Sequence, residues 1–291
     1  MKLSPSELIL NPDGSIYHLN LLPEDIADTV ITVGDPDRVA EVSSFFDSVE
    51  LKKGKREFHT HTGTLNGKRL AVISTGIGTD NIDIVLNELD ALVNIDFESR
   101  LVRPKLKSLD IIRIGTSGAI QEDIPIDSFL MSEYAIGLDG LLHFYDSQSA
   151  QQQHKEMALA FSEHCGWSNQ KSQPYCIEHD QSLGKKLFSN RIRLGVTITN
   201  TGFYGPQGRK LRLNTDADGL VEKLASFRYN GNKITNLEME TSGIYGLSKL
   251  LGHRAVSLNC ILANRVTGEF SKNSKMATDE LIAYCLKKIC E

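Results

Sequence analysis

VITVGDPDRV, residues 30–39, runs four β-branched residues into Gly34, Asp35 and Pro36 and then reaches Arg38. β-branched side chains are stiff at χ1 and suit an extended, buried strand. The strand is read over 29–34 and a short helix from Pro36 to about Ser44. In open α/β sheets, ligands gather at the carboxyl ends of strands. A tight loop at such an end, with an arginine just beyond it, is therefore a candidate anion site.

Working outward, the same alternation recurs. HTHTGTLNGKRLAVIST (59–75) is a hairpin turned at Asn66-Gly67, both of which tolerate positive φ. Residues 80–95 carry apolar positions at helical spacing behind Asp80, read as the N-cap. DIIRIGTSGAI (110–120) is a second apolar strand ending in small residues. SFLMSEYAIGL (128–138), RIRLGVTIT (191–199) and HRAVSLNCILANRV (253–266) are read as further strands. ETSGIYGLSKLLG (240–252) is a helix closed by Gly252, and 274–290 is an amphipathic tail helix. Strands alternating with helices predict an α/β fold, a three-layer α/β/α sandwich whose central sheet is mixed because of the hairpins. No composition break divides the chain. One domain over 1–291 is expected, with 1–15 a loosely ordered extension. The stretch 96–108, DFESRLVRPKLKS, reads as a basic surface excursion.

Bulk properties exclude several classes. The 291 residues are 40% hydrophobic and 24% charged, which is ordinary for a globular protein. A net charge of −5 argues against a general nucleic-acid binder. Five cysteines without CxxC spacing read as reduced thiols rather than a disulfide frame. The N-terminus lacks a signal-peptide apolar core, and no apolar run approaches the roughly 20 residues that span a bilayer. A cytoplasmic protein without a membrane partner is expected.

Which anion the loop takes depends on its companions. Gly34 and Arg38 lie past one strand end, and Arg113, Gly115 and Thr116 at another. Two arginines, a hydroxyl and exposed backbone amides suit phosphate, because guanidinium binds it bidentately. Alone, each piece is weak, since an arginine at a strand end is more often a surface ion pair. Neither GxxxxGK[ST] nor GxGxxG occurs.

In combination, GDPDRV (34–39), REF (56–58), STGIG (74–78), RIGTSGAI (113–120), LDG (138–140), NLEMET (236–241) and NR (264–265) carry a resemblance. Their order and spacing are similar to those of the nucleoside phosphorylases of the trimeric or hexameric α/β class, the uridine-cleaving members above all, over residues 15–290. The resemblance implies that inorganic phosphate is a co-substrate held by Gly34, Arg38, Arg113 and Thr116. It also implies that Arg56 reaches a neighbouring subunit's phosphate. Without the resemblance, Arg56 would be read as a hairpin charge paired with Glu57.

The sugar and base follow from the same resemblance. A carboxylate can accept from two vicinal hydroxyls. Glu240 resembles the ribose-diol ligand, Met239 the sugar floor, and Glu238 a secondary ribose contact. Read by themselves, these acids are only a helix's acidic first turn. His18 resembles a histidine given across a dimer to the ribose 5′-hydroxyl. In TNTGFYGPQGRK (199–210), Phe203 can stack on a ring, while Gln207 offers uracil both a donor and an acceptor. Arg209 favours charge building on the leaving base, and Arg265 braces that pair. Purine members carry an aspartate after the late strand, where this chain has Asn264, so a pyrimidine is favoured. At least a dimer is implied, with a hexamer expected.

Departures are visible too. Gly205-Pro206 inverts the family's Pro-Gly. Thr79-Asp80-Asn81 replaces small residues and a serine that, with a glutamate resembling Glu57, hold a monovalent cation in some members. Asn81 argues against that ion, so no cofactor and no metal are expected. His59 and His61 share a strand face without a third ligand, and Glu178-His179-Asp180 reads as a solvated turn. No protein nucleophile is evident, because no GxSxG occurs and Cys260 sits in an apolar strand. The expected reaction is phosphorolysis of uridine or deoxyuridine to uracil and a pentose 1-phosphate. A purine-nucleoside phosphorylase, a nucleoside hydrolase and a non-catalytic nucleoside sensor stand as alternatives.

Overall fold

The structure, a computed structural model, describes residues 2–217 and 219–291; Met1 and Asp218 lie outside them. In chain order the elements are β1 (Thr29–Val33), α1 (Pro36–Ser43), β2 (Ser48–Lys55), β3 (Phe58–Leu65), β4 (Lys68–Ser74), α2 (Thr79–Asn94), β5 (Ile95–Asp96), β6 (Leu101–Val102), β7 (Asp110–Ala119) and β8 (Phe129–Gly137). There follow α3 (Gln148–Gln152), α4 (Lys155–Cys165), β9 (Tyr175–Glu178), α5 (Gln181–Leu187), β10 (Ile192–Thr199), α6 (Leu220–Ser226), β11 (Arg228–Tyr229), β12 (Asn232–Glu238), α7 (Thr241–Leu251), β13 (Arg254–Asn264) and α8 (Ser274–Cys290).

Among the described residues, an 11-stranded mixed sheet runs β11-β12-β10-β8-β13-β7-β1-β4-β3-β2, with β9 beside β8. β1 lies between β4 and β7, parallel to both, and all five of its residues are buried. A strand sends successive side chains to opposite faces. Accordingly Val30, Ala71, Ile73, Ile111 and Ala255 face the layer of α2 and α7. Ile31, Leu70, Val72, Ile112 and Val256 face the layer of α1, α5 and α8. This two-sided burial explains why 29–34 and 110–120 are rich in apolar residues without a strict alternation. The sheet also returns on itself: the end of β7 pairs antiparallel with β12 through Gly118 and Ala119. That closure carries the end of β12, and its acids, toward β7.

Some expectations are corrected. Asp80 does not cap α2; Gly78 does, at φ +94, because its backbone must turn sharply out of the loop after β4. In the extension expected to be loose, Leu8 and Ser15 are buried and the other described residues are exposed or half-buried. Arg100 holds it down, donating from Nε to the Leu3 carbonyl at 3.0 Å and from Nη2 to that of Ser4 at 2.9 Å. The basic excursion 96–108 is thus, in part, the clamp for the N-terminal strap. Glu178-His179-Asp180 is no solvated turn. His179 is buried, with Nδ1 3.1 Å from the Glu133 carbonyl, and Asp180 caps α5. Among the described residues no helix is long and apolar enough to cross a membrane.

Candidate active site

The loop that opened the reading ends β1 at Gly34. Asp35 caps α1 by accepting from the Asp37 amide at 3.0 Å, which seats Arg38 in the first turns of the helix. Among the described residues the buried Arg38 Nε atom has no partner. Burial lowers the pKa of this guanidinium; Asp35 and Glu41 oppose the shift and the charge of nearby Arg113 adds to it. The two arginines predicted from separate strand ends therefore lie within each other's field.

Arg113 is 5% exposed. On β7 it stands opposite Thr32 of β1 and Ser257 of β13. Its guanidinium folds back over Gly115, where a Cβ would lie 2.0 Å from Nη1; any other residue there would expel it. Nη2 donates to Glu240 Oε2 at 2.6 Å and lies 3.2 Å from Glu238 Oε2. Nη1 donates to Asn259 Oδ1 at 2.8 Å. Burial opposes the charged form, but Glu238 and Glu240 outweigh it and hold the Arg113 pKa above its ordinary value. For Glu240, burial comes first and the like charge of Glu238 adds, raising its pKa against the pull of Arg113 and of the Gly78 amide.

The two glutamates differ in freedom. Glu238 Oε2 accepts from the Glu240 and Thr241 amides at 3.0 and 2.9 Å and from the Thr241 hydroxyl at 2.8 Å. Its Oε1 accepts from the Thr199 hydroxyl at 2.7 Å. Glu238, expected as a secondary sugar contact, thus also ties down the start of α7. Among the described residues Glu240 is held by Arg113 and by the Gly78 amide at 2.9 Å alone, and half-buried Met239 lies between the two acids in sequence.

The remaining predicted residues fall in three places. Thr116 is half-buried on β7; strand alternation puts it on the side of Ile112 and Ile114, opposite Arg113. An anion meeting both must lie past the strand rather than over one face. Arg56 is exposed at the β2–β3 turn with φ +55, and it makes no ion pair with Glu57 among the described residues. His18 has Nδ1 2.6 Å from Glu88 Oε1, so its ring is oriented by α2 of its own chain.

The base-side loop begins beside the acids, since the Asn200 amide donates to the Glu238 carbonyl at 2.9 Å. A short 3-10 turn, Gly205–Gln207, ends at Gly208 with φ +69. That bend folds Arg209 back: its guanidinium carbon sits 3.8 Å from the Phe203 ring centroid. Arg209 donates to the Phe203 carbonyl at 2.8 Å and also to the Gln207 side-chain oxygen. Arg265 donates to the Gln207 carbonyl at 3.1 Å. Burial and the charge of Arg265 bring the Arg209 pKa down to about 10, so it stays cationic at neutral pH. Phe203 is half exposed and Gln207 buried. A cleft of about 1140 Å³ adjoins this loop, lined by Asn200, Tyr204, Arg209 and Trp167 among others; Arg113 and Glu240 lie outside it. Asn264 is fully engaged, donating to the Gln121 and Ile124 carbonyls at 2.9 Å each and accepting from the Val266 amide at 2.9 Å.

Sequence reading missed Asn259, Ser257 and Thr199, which hold the charged cluster. Their signal was polarity inside strands otherwise made of Val, Leu and Ile. Among the described residues no three His, Cys, Asp or Glu are grouped to hold a metal. His61 has Nδ1 2.7 Å from Ser43 Oγ.

The chain as a whole is similar to known proteins. A profile of the Phosphorylase superfamily matches residues 28–290. The chain is 31% identical to a uridine phosphorylase of Thermococcus kodakarensis over 284 residues, 96% of this chain and 88% of that one. It is 27% identical to a DeoD-type purine nucleoside phosphorylase of Bacillus velezensis over 259 residues, 87% of this chain and 89% of that one. A crystal structure of a Trypanosoma brucei nucleoside phosphorylase, described as showing uridine phosphorylase activity, superposes with a TM-score of 0.86 at 30% identity, covering 97% of this chain and 98% of that one. The chain belongs to the phosphorylase superfamily, as an enzyme of the nucleoside phosphorylase family close to the uridine phosphorylases.

Proposed function

We propose that the enzyme cleaves uridine, and its deoxy analogue, with inorganic phosphate to give uracil and a pentose 1-phosphate, a step of pyrimidine salvage in the cytoplasm. The observation that carries this reading is the buried Arg113, held between Glu240 on one side and Asn259 on the other with Arg38 close by. Phosphate lies past the ends of β1 and β7 on Arg38, Arg113, Thr116 and the Gly34 amide. Arg56 of a second copy completes the shell, so the active form is at least a dimer, and a hexamer is the larger assembly proposed. The ribose diol donates to Glu240 over Met239, with Glu238 a secondary ribose contact that also steadies the start of α7. His18, turned by Glu88, offers its free Nε2 to a neighbouring copy's 5′-hydroxyl.

The glycosidic bond stretches first, placing positive charge on the sugar and negative charge on the base. Phosphate stabilises the cation from below and then bonds to C1′. Gln207 and Arg209 receive the uracil anion. Catalysis is positioning plus electrostatics, with no covalent enzyme intermediate, no cofactor and no bound cation. Pyrimidine is favoured because Asn264 stands where an acid would protonate a purine and is tied to the backbone.

Uridine absorbance is followed with and without phosphate. Loss of uridine only with phosphate supports the reading. Loss without phosphate makes the enzyme a hydrolase, cleavage of inosine but not uridine makes it a purine enzyme, and no turnover leaves a nucleoside-binding protein.

A further inference from the structure

On one face of the sheet, Arg113 and Gly115 of β7 stand beside Ser257 and Asn259 of β13, in register. Glycine at 115 opens a channel across β7, and the guanidinium crosses it to end on Asn259 Oδ1 at 2.8 Å. Asn259 is fully buried. Its oxygen must face Arg113, because guanidinium has donors and no acceptor. Its Nδ2 then points to the Ser257 and Ser132 hydroxyls at 3.4 and 3.5 Å. Ser132 continues to Thr197 at 2.6 Å, Thr197 to Asn236 at 2.8 Å, and Asn236 to Ser117 at 2.9 Å. A buried polar chain thus crosses β13, β8, β10, β12 and β7 and returns to the residue after Thr116.

Charge explains why an amide sits here. Two carboxylates already face Arg113, so its positive charge is over-balanced before any anion arrives. A third acceptor that carried charge would repel phosphate. A neutral carboxamide fixes Nη1 without cancelling charge, and a chain of hydroxyls and amides fixes the carboxamide. We propose that Asn259 is a positioning residue that aims Arg113 at the phosphate, leaving the nucleoside subsite to Glu240 and the Gln207 loop. This rests on the phosphorolytic reading above.

The test compares Asn259→Ala, Asn259→Leu and the nearly isosteric Asn259→Asp. For each, KM for phosphate, KM for uridine and kcat are measured, and binding of inorganic phosphate alone is read from the shift it gives in melting temperature. The expected result is a phosphate KM raised about tenfold by Ala or Leu, comparable to loss of one aligned donor. Asp is expected to raise it further, with uridine KM within about twofold of wild type. Asn259→Asp loses its phosphate-induced melting shift even if its own melting temperature drops. A phosphate KM and melting shift unchanged in any folded variant, or phosphate and uridine KM rising in step with lost stability, overturns the role of Asn259 alone. A wild-type protein that shows no phosphate shift and no phosphate-dependent turnover overturns the phosphorolytic reading and this inference together.

Discussion

Glu240 Oε2 lies 2.6 Å from Arg113 Nη2 in an environment where both side chains are almost wholly removed from solvent. Removing one member of such a pair leaves the other charge buried and uncompensated, which typically costs about 3–5 kcal/mol. The pair therefore contributes to the stability of the fold, and variants at either position need a stability control.

Arg113→Ala is expected to lower phosphorolysis on the order of 10²–10³-fold, the usual loss for one preorganised charge donor. Steady-state kinetics at saturating phosphate, on protein shown by melting to be folded, give the answer. Turnover near wild type there removes Arg113 from the phosphate shell.

The pH profile tests Glu240. Its ionised form accepts from hydroxyls more strongly than the neutral acid, and burial beside Glu238 raises its pKa above the ordinary carboxylate value. As pH falls, the carboxylate therefore takes up a proton sooner than an exposed glutamate does. Uridine KM is expected to climb on the acid side, with a limb above the ordinary carboxylate range that is absent in Glu240→Gln. An identical acid limb in both proteins would assign it to another group.

Gln207→Ala is expected to erode discrimination between uridine and cytidine more than it erodes kcat for the better substrate. A site that hydrogen-bonds a ring edge rejects analogues that leave its groups unpaired. Ratios of kcat/KM for the two nucleosides decide it, and an unchanged ratio places the base away from this loop.

Complementation tests the contribution of Arg56 from a second copy. Arg56→Ala and Arg113→Ala are each expected to be nearly inactive, but their mixed dimer carries one site free of both changes. Co-expression with random pairing should restore about a quarter of wild-type sites, since half of the dimers are mixed. No recovery in isolated mixed dimers would put Arg56 in its own subunit's site or outside any site.

Thr199→Val removes the donor to Glu238 Oε1. A buried carboxylate oxygen left without its partner is expected to cost about 1–3 kcal/mol of stability, with kcat falling as Glu240 and α7 lose their anchor. Chemical denaturation measures the first effect. No change in stability would mean that water replaces the hydroxyl.

Much was legible before any coordinates. β1, β7 and β13 are buried on both faces, so their sequences are rich in apolar residues. Asn66-Gly67, at φ +49 and +74, and Gly252, at φ +80, mark a hairpin and a helix end by local backbone chemistry alone. Arg38, Arg113, Glu240 and the Gln207–Arg209 pair were named because motif order survives in a linear string. What was not legible depended on contacts distant in sequence. The bond from Arg100 that ties Leu3 spans 97 residues. The bond from Thr199 to Glu238 joins positions 39 apart. Asn259 looked like an odd polar residue in an apolar strand until β13 was laid beside β7.

The sequence by itself determined the strands, the turns and which residues could carry charge, because propensity, periodicity and glycine placement act within a few residues. Only the tertiary structure decided which charges face one another. That choice comes from strand register and from the closure of β12 onto β7, and both are set by burying two apolar faces at once rather than by any local signal.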